Sequence, residues 1–250
     1  MLRALGATPM LSHTLDASTL KGHVDEDTYV LVTVPPDGVD DASLAASLVP
    51  LRAAAVVYVS STAVYGAASG RVDETTPTDR SAPRAARRLD AEAAWQRAGA
   101  AVLRAPGIYG PGRGLHLRLA RGEVRLAGPG GNAISRVHVD DLAVALFAVL
   151  QSRAKCETFV VGDAEPAPHE EVVGFLCDAL GIPLPAWDRS APPPETLSHD
   201  RRVDGARLRA RFSLALTYPS YREGYAHCVA LDRAALDEAL GAAPLPERAL

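Results

Sequence analysis

The stretch Ala54-Ala55-Val56-Val57-Tyr58-Val59-Ser60-Ser61-Thr62-Ala63-Val64-Tyr65-Gly66 constrains this chain more than any other. Its first half is a short apolar run, rich in β-branched and aromatic residues, with no strongly polar position before Ser60. That is the pattern of a strand buried on both faces of a parallel sheet. Hydroxyls then crowd its end. Open α/β sheets bind ligands just beyond the carboxyl ends of their strands, so Ser60, Ser61 and Thr62 stand where chemistry is expected. A helix cap or turn after the strand accounts for the same hydroxyls without any chemistry.

The rest of the chain alternates strand and helix around that stretch. Ala7 to Leu11 is a first strand candidate, and Asp16 is placed to cap a short helix. Thr28 to Val34 is a strand closed by Pro35-Pro36-Asp37-Gly38, and Asp41 to Val49 is a helix that Pro50 ends. Gly66 to Ala82 is turn-rich and predicts a loop over the carboxyl edge of the sheet. Arg84 to Arg97 predicts a charged, Ala-rich helix with a solvated face, and Ala100 to Arg104 the next strand. Ala105 to Gly112, with Pro106, Pro111 and three glycines, predicts a rigid loop. Leu115 to Arg121 follows as a short helix, and Val124 to Ala127 and Ile134 to Val137 flank a Gly-Pro-Gly-Gly turn.

Asp140-Asp141 predicts the cap of a helix over Leu142 to Leu150, apolar almost all round. Thr158 to Val161 is a strand, and His169 to Leu180 an amphipathic helix stopped by Gly181 and Pro183. Ala191 to Pro194 is a stiff linker, and Asp204 to Arg211 and Leu231 to Leu240 are terminal helices. The alternation is that of a parallel sheet with crossover helices.

At 250 residues, 48% hydrophobic and 22% charged, the chain fits one α/β domain, or one domain carrying a smaller lobe. We expect residues 1–150 to form the core and 151–250 a smaller lobe interleaved with it. A net charge of -4 supplies no field for nucleic acid. Met1 to Leu11 lacks the pattern of a signal peptide, and no apolar run approaches the roughly 20 residues of a membrane span, so a cytoplasmic location is expected. Cys156, Cys177 and Cys228 read as free thiols, and no Cys-x-x-Cys or His-Glu-x-x-His spacing points to a metal.

Three segments in order, Val59 to Gly66, Leu103 to Gly112 and Ile134 to Ala143, resemble the extended and atypical short-chain dehydrogenase/reductases, which include nucleotide-sugar epimerases and dehydratases. Tyr218 to Gly224 resembles the C-terminal end of atypical members. The resemblance implies a Rossmann-like, doubly wound parallel sheet that binds NAD or NADP, with a small lobe closing over the substrate. It places Ser61 at the family's catalytic Ser/Thr, whose hydroxyl bonds the reacting substrate oxygen. Pro106, Gly107 and Ile108 would lie beside the nicotinamide, and Val34, Pro35, Pro36 and Ser60 would line the cofactor cleft. His138 and Asp140-Asp141 would shape the boundary of the substrate lobe; a strand end and an N-cap explain them fully.

Two departures accompany the matches. The family uses a Tyr and, four residues on, a Lys as its acid/base pair, and here Arg84 and Arg88 occupy those positions. Arginine stays protonated to above about pH 12, so Arg84 cannot exchange a proton at neutral pH. Arg88 can still meet a ribose or phosphate of the cofactor. The second departure is N-terminal. No Gly-x-x-Gly-x-x-Gly turn precedes Thr28, so the family's opening unit, roughly 30 residues or somewhat more, has no counterpart there. A late start codon, an element or partner covering the sheet edge, and a decayed relative all account for this.

Two functions follow as expectations. The first is an NAD(P)-dependent epimerase/dehydratase-like oxidoreductase acting on a nucleotide sugar or a small carbonyl or alcohol. Tyr65, Tyr109 and His138 are then the nearest groups to carry the proton. The second is an inactive dinucleotide- or ligand-binding sensor or scaffold. The expected partner is a small molecule, with no nucleic acid and no membrane; a homodimer is left open.

Overall fold

The computed structural model describes residues 6–10, 17–36 and 40–241. After a short helix α1 (Ala17–Leu20) the chain enters β1 (Tyr29–Val32), α2 (Asp41–Leu48) and a 3-10 turn over Val49–Leu51 that absorbs Pro50. Residues 7–10 form no strand, and Leu11, Asp16, Asp37 and Gly38 lie outside the described residues. The hydroxyl-ended stretch is β2 (Ala55–Ser61), followed by a 3-10 turn over Thr62–Tyr65.

Next come β3 (Gly70–Val72), α3 (Pro83–Arg97), β4 (Ala101–Ala105), β5 (Gly107–Tyr109), α4 (Leu115–Ala120), β6 (Leu126–Ala127), β7 (Ala133–Ile134), β8 (Arg136–His138) and α5 (Val139–Gln151). The C-terminal part adds β9 (Thr158–Val160), β10 (Ala167–Pro168), α6 (His169–Leu180), β11 (Trp187–Asp188) and β12 (Arg201–Val203). Helices α7 (Ala206–Phe212), α8 (Tyr221–Leu231) and α9 (Arg233–Ala239) close the described chain.

The main sheet runs β1-β2-β4-β9, every pair parallel, with Tyr58 opposite Val102 and Ser61 opposite Ala105. Side chains alternate across each strand, so β2 feeds two cores. Val56 and Tyr58 join Leu44, Leu48 and Trp95 under α2 and α3, while Val57 packs with Leu103, Leu146 and Phe159 on the face that α5 and α7 cover. Helices on both faces make the sheet doubly wound and Rossmann-like. Trp95 has no exposed surface, stacks 5.9 Å from Tyr58 and donates its indole N–H to Asp41.

Five short pairings lie outside the main sheet, two of them in segments that read as loops. In the predicted loop between Gly66 and Ala82, β3 pairs with β12, more than a hundred residues away. In the predicted rigid loop after Arg104, β5 pairs with β8. The two segments flanking the Gly-Pro-Gly-Gly turn do not pair with each other: β6 joins β11, and β7 joins β10 and β12. Helix α5 begins one turn earlier than expected, and its cap is His138 rather than the acidic pair. Its outer side leaves Val144 and Phe147 exposed, so only one face is buried. A third core, built from Tyr109, α4, α6, α8 and Leu236, lies among C-terminal residues and the segment that follows β5.

Candidate active site

Ser61 ends β2 in extended backbone, and its Oγ accepts the N–H of Ala63 at 3.2 Å, capping the 3-10 turn. The hydroxyl proton meets no acceptor among the described residues, leaving Ser61 a half-buried donor at the carboxyl edge. The turn it opens is clamped from behind. Arg201 on β12 donates to Thr62 O at 2.9 Å and also to Gly66 O, and Gly66 takes a φ of +54° with Asp79 packed where a Cβ would stand.

Ser60 faces inward. Its Oγ donates to Glu92 Oε1 at 2.5 Å, Glu92 takes two N–H groups from Arg104, and Arg104 reaches the Tyr65 hydroxyl at 3.2 Å. Tyr65 in turn donates to Asp73 O, and burial raises its pKa. This network joins β2, α3 and β4 directly under the site. Sequence reading missed it by taking α3 as a solvated charged helix. Glu92 nevertheless shares the helical face of Ala85 and Leu89, both buried, and that spacing was its signal.

Arg88, half-buried on α3, donates Nη1 to the Tyr58 hydroxyl at 3.1 Å, whereas Arg84 is exposed. Past β4, Pro106 and Ile108 are half-buried and Gly107 is exposed; past β1, Val34 and Pro36 are half-buried and Pro35 is exposed. Val34 to Pro36 and Pro106 to Ile108 follow the carboxyl ends of β1 and β4, the two strands that flank β2 in the sheet.

Tyr109 is packed, 4.4 Å from the Tyr225 ring and 5.3 Å from His138, and burial pushes its phenol far above the usual range. His138 is fully buried, and its Nδ1 accepts the Asp140 N–H at 3.2 Å. Burial lowers its pKa. Donor atoms of His138, Asp140 and His227 lie within 4.8 Å of one another, the arrangement of a metal cluster. The Nδ1 lone pair is spent on the helix cap, however, and a metal would have to displace it. Asp141 does not cap α5; it accepts the N–H groups of Thr217 and Tyr218 at 2.8 and 2.9 Å and so ties α5 to the segment leading into α8.

A further acid was not expected from the sequence. Asp163, just past β9 on the same carboxyl edge, is 3% exposed, and neither of its oxygens meets a partner among the described residues. Burial pushes its carboxyl up to about 7 against the opposing pull of Arg136. Nothing in Gly162-Asp163-Ala164-Glu165-Pro166 distinguishes this Asp from one in an exposed turn.

A doubly wound parallel sheet with a hydroxyl at one strand end and further residues gathered on the same edge defines the class: a Rossmann-like α/β protein. Residues 41–162 match the model of the NAD dependent epimerase/dehydratase family. A protein described as an NAD-dependent epimerase/dehydratase from Methylobacillus flagellatus is 32% identical over 76% of this chain and 69% of its own, with a TM-score of 0.62. The chain belongs to that family.

A conserved protein of unknown function from Silicibacter pomeroyi is 33% identical, covering 92% of this chain and 85% of its own at a TM-score of 0.80. A dTDP-glucose 4,6-dehydratase from Streptomyces venezuelae, solved with NAD bound, shares the fold at 23% identity, 88% and 77% coverage and a TM-score of 0.72. A 3-diazoavenalumate denitrifying reductase from a Streptomyces species is 32% identical over 49% of this chain. That match takes in 45% of the reductase, less than half its length. No helix among the described residues is long and apolar enough to cross a membrane.

Proposed function

We propose that the chain carries the substrate side and the nicotinamide side of an NAD(P)-dependent oxidoreductase of the epimerase/dehydratase type, acting on a nucleotide sugar or a small carbonyl or alcohol. The observation that carries this reading is Ser61 at the carboxyl end of β2, in register with Ala105, the residue that leads into Pro106 to Ile108 on the neighbouring strand. Ser61 accepts an N–H from its own turn, which leaves its hydroxyl proton to donate to a substrate oxygen. Residues 1–150 supply the cofactor side in this reading, and residues 151–250 the lobe over the substrate.

The residues fit one half of the cofactor. Val34 to Pro36, Ser60 and Pro106 to Ile108 would line the cleft around the nicotinamide and its ribose, and Arg88 would meet the ribose or a phosphate by releasing the Tyr58 hydroxyl. The pyrophosphate needs backbone amides of a glycine turn, and the sequence before Thr28 holds none. When bound, the nicotinamide supplies a hydride acceptor; the chain's own contribution is to orient the substrate oxygen through Ser61.

A second reading, a binding protein without chemistry, is favoured by the acid/base positions. Arg84 is exposed, Arg88 is bonded to Tyr58, and Tyr65, Tyr109 and His138 are all held in structural contacts. Incubating the protein with NAD or NADP and a panel of nucleotide sugars and small alcohols separates the two. One of them should be converted, seen as reduced cofactor from an alcohol or as an epimerised or dehydrated nucleotide sugar, and Ser61→Ala should abolish the conversion while cofactor affinity, read by calorimetry, is kept. Calorimetric binding with no conversion of any substrate would leave the second reading; no binding of either cofactor would remove the first reading and the dinucleotide-binding form of the second.

A further inference from the structure

The end of the main sheet opposite Ser61 holds an open cavity of about 370 Å³. Its lining comes from the start of β2, from the chain that ends α2 and α3, and from the segment after α5. Along β2 from Ala55 to Ser61, roughly 20 Å of strand separates it from the site described above. The buried part of the lining is apolar, with Leu48, Ala54, Ala55 and Val56. The exposed part is charged: Arg52, Arg153 and Lys155 meet a single carboxylate, Glu26.

The protein does not use these three cations for itself. None of them is in an ion pair or a side-chain hydrogen bond among the described residues. Glu157, two residues beyond Lys155, is engaged by Arg207 at 3.8 Å, and Asp25, next to Glu26, accepts the Thr28 hydroxyl at 2.6 Å. The helix ends do not claim the cations either. The carbonyls of Val49, Trp95 and Leu150 take the backbone N–H groups of Arg52, Ala98 and Arg153 at 3.3, 3.1 and 3.0 Å, so main chain closes all three turns. Arg153 is steadied by one contact: its guanidinium carbon lies 5.9 Å from the centre of the Tyr29 ring, and Tyr29 is the register partner of Ala55.

The backbone adds a second observation. Arg52 and Arg153 take φ values of +55° and +53°, the left-handed conformation in which glycine ordinarily ends a helix. A side chain is strained there, and at both turns an arginine is kept against that preference on the rim of the same cavity.

Three like charges around one cavity repel each other, and Glu26 offsets one of them. Two positive charges remain in a chain whose net charge is -4. A phosphate monoester carries close to two negative charges at neutral pH, and guanidinium forks grip its oxygens in pairs. The space exceeds what a bare phosphate fills: at about 30 Å³ per water it equals roughly a dozen waters, enough for a sugar-sized body beside the phosphate.

We infer that this cavity binds a small phosphate monoester, with Arg52 and Arg153 on the phosphate, Lys155 as a further charge and the organic body against the apolar lining. The site is separate from the substrate end and does not depend on the function proposed there. Calorimetry at about 50 mM salt with glucose 6-phosphate, inorganic phosphate and glucose tests it. Glucose 6-phosphate should bind, inorganic phosphate severalfold more weakly, and glucose not at all.

Arg52→Gly combined with Arg153→Gly removes both forks and suits the left-handed backbone at each turn, so the fold is kept, and glucose 6-phosphate affinity should fall at least tenfold. Lys155→Gln, in a position free of that constraint, should lower it about threefold. Affinity unchanged in the double glycine variant would put the phosphate elsewhere and overturn the site. No binding of glucose 6-phosphate to the unaltered protein at about 10 mM would overturn it as well. Glucose or inorganic phosphate binding as tightly as glucose 6-phosphate would show that charge and body are not read together, and would also overturn it.

Discussion

Arg104 lies along Glu92 in a two-pronged buried ion pair, Nε to Oε1 at 3.0 Å and Nη2 to Oε2 at 2.8 Å, directly beneath the strand end that carries Ser61. Charges this deep offset each other only while both are present. Glu92→Leu strands the guanidinium and also frees the Ser60 hydroxyl, so we expect a loss of about 3–5 kcal/mol in urea unfolding. Glu92→Leu combined with Arg104→Met should recover most of that loss, since an apolar pair of similar volume is about neutral. A double variant as unstable as the single one would show that the pair is needed for more than charge balance.

Arg201 is expected to matter for the site without touching a ligand. It binds the carbonyls of Thr62 and Gly66, the two ends of the turn that Ser61 opens, from a strand far along the chain. Arg201→Ala should cost about 1–3 kcal/mol and speed hydrogen exchange at residues 62–66 more than in β2 itself. Unchanged exchange in the turn would mean that Ser61 and Gly66 hold it unaided.

What could be read in advance follows the range of the interactions. The hydroxyl-ended strand, and β4 and β9 as further strands of a parallel sheet, were legible because runs such as Val56 to Val59 and Ala100 to Leu103 are buried on both faces and carry their signal locally. Strands of three residues were not. Pro106, Gly107 and Gly110 disfavour regular structure, and only the distant partner β8 turns that segment into a strand. The cap of α5 shows the same limit. Asp140 and Asp141 look like capping residues, but His138 Nδ1 reaches the Asp140 N–H first, and Asp141 is drawn to the chain before α8. The burial of Asp163 depends on β8, α6 and α7 arriving around it, and no residue near it announces them.

Gly224 and Tyr109 provide a packing test of the C-terminal core. A Cβ on Gly224 would run into the Tyr109 hydroxyl and lie 2.7 Å from its Cζ, while Tyr225 and His138 hold the ring in place. Gly224→Ala should therefore destabilise by about 1–3 kcal/mol or somewhat more. The Tyr109 hydroxyl itself makes one long contact, 3.5 Å to Ser220 O, so Tyr109→Phe should cost about 1 kcal/mol or less. Removing that oxygen also relieves the closest clash, and thermal melts of the two single variants and the double should show Gly224→Ala costing less in the Tyr109→Phe background. Strict additivity would place the strain elsewhere on α8.

Asp163 ties the stability of the fold to pH in a direction opposite to most carboxyl groups. Burial raises its pKa from 3.8 to about 7, so its contribution is fully present below about pH 4 and is lost as pH rises through about 7. His169, lowered by burial from 6.5 to about 4, runs the other way: its contribution is present above about pH 6.5 and is lost as pH falls toward 4. The two slopes overlap, and a variant at one site isolates the other. Asp163→Asn removes the ionisation and keeps the shape, so its stability should equal that of the unaltered protein near pH 4 and exceed it by about 2–4 kcal/mol near pH 8. The His169 contribution, common to both, cancels in the difference. Urea unfolding at a series of pH values measures it, and a gap that stays constant with pH would mean that the Asp163 carboxyl titrates where an exposed one does. A gap that opens as expected would show that the fold gives up stability above neutral pH to keep this acid buried at the strand end.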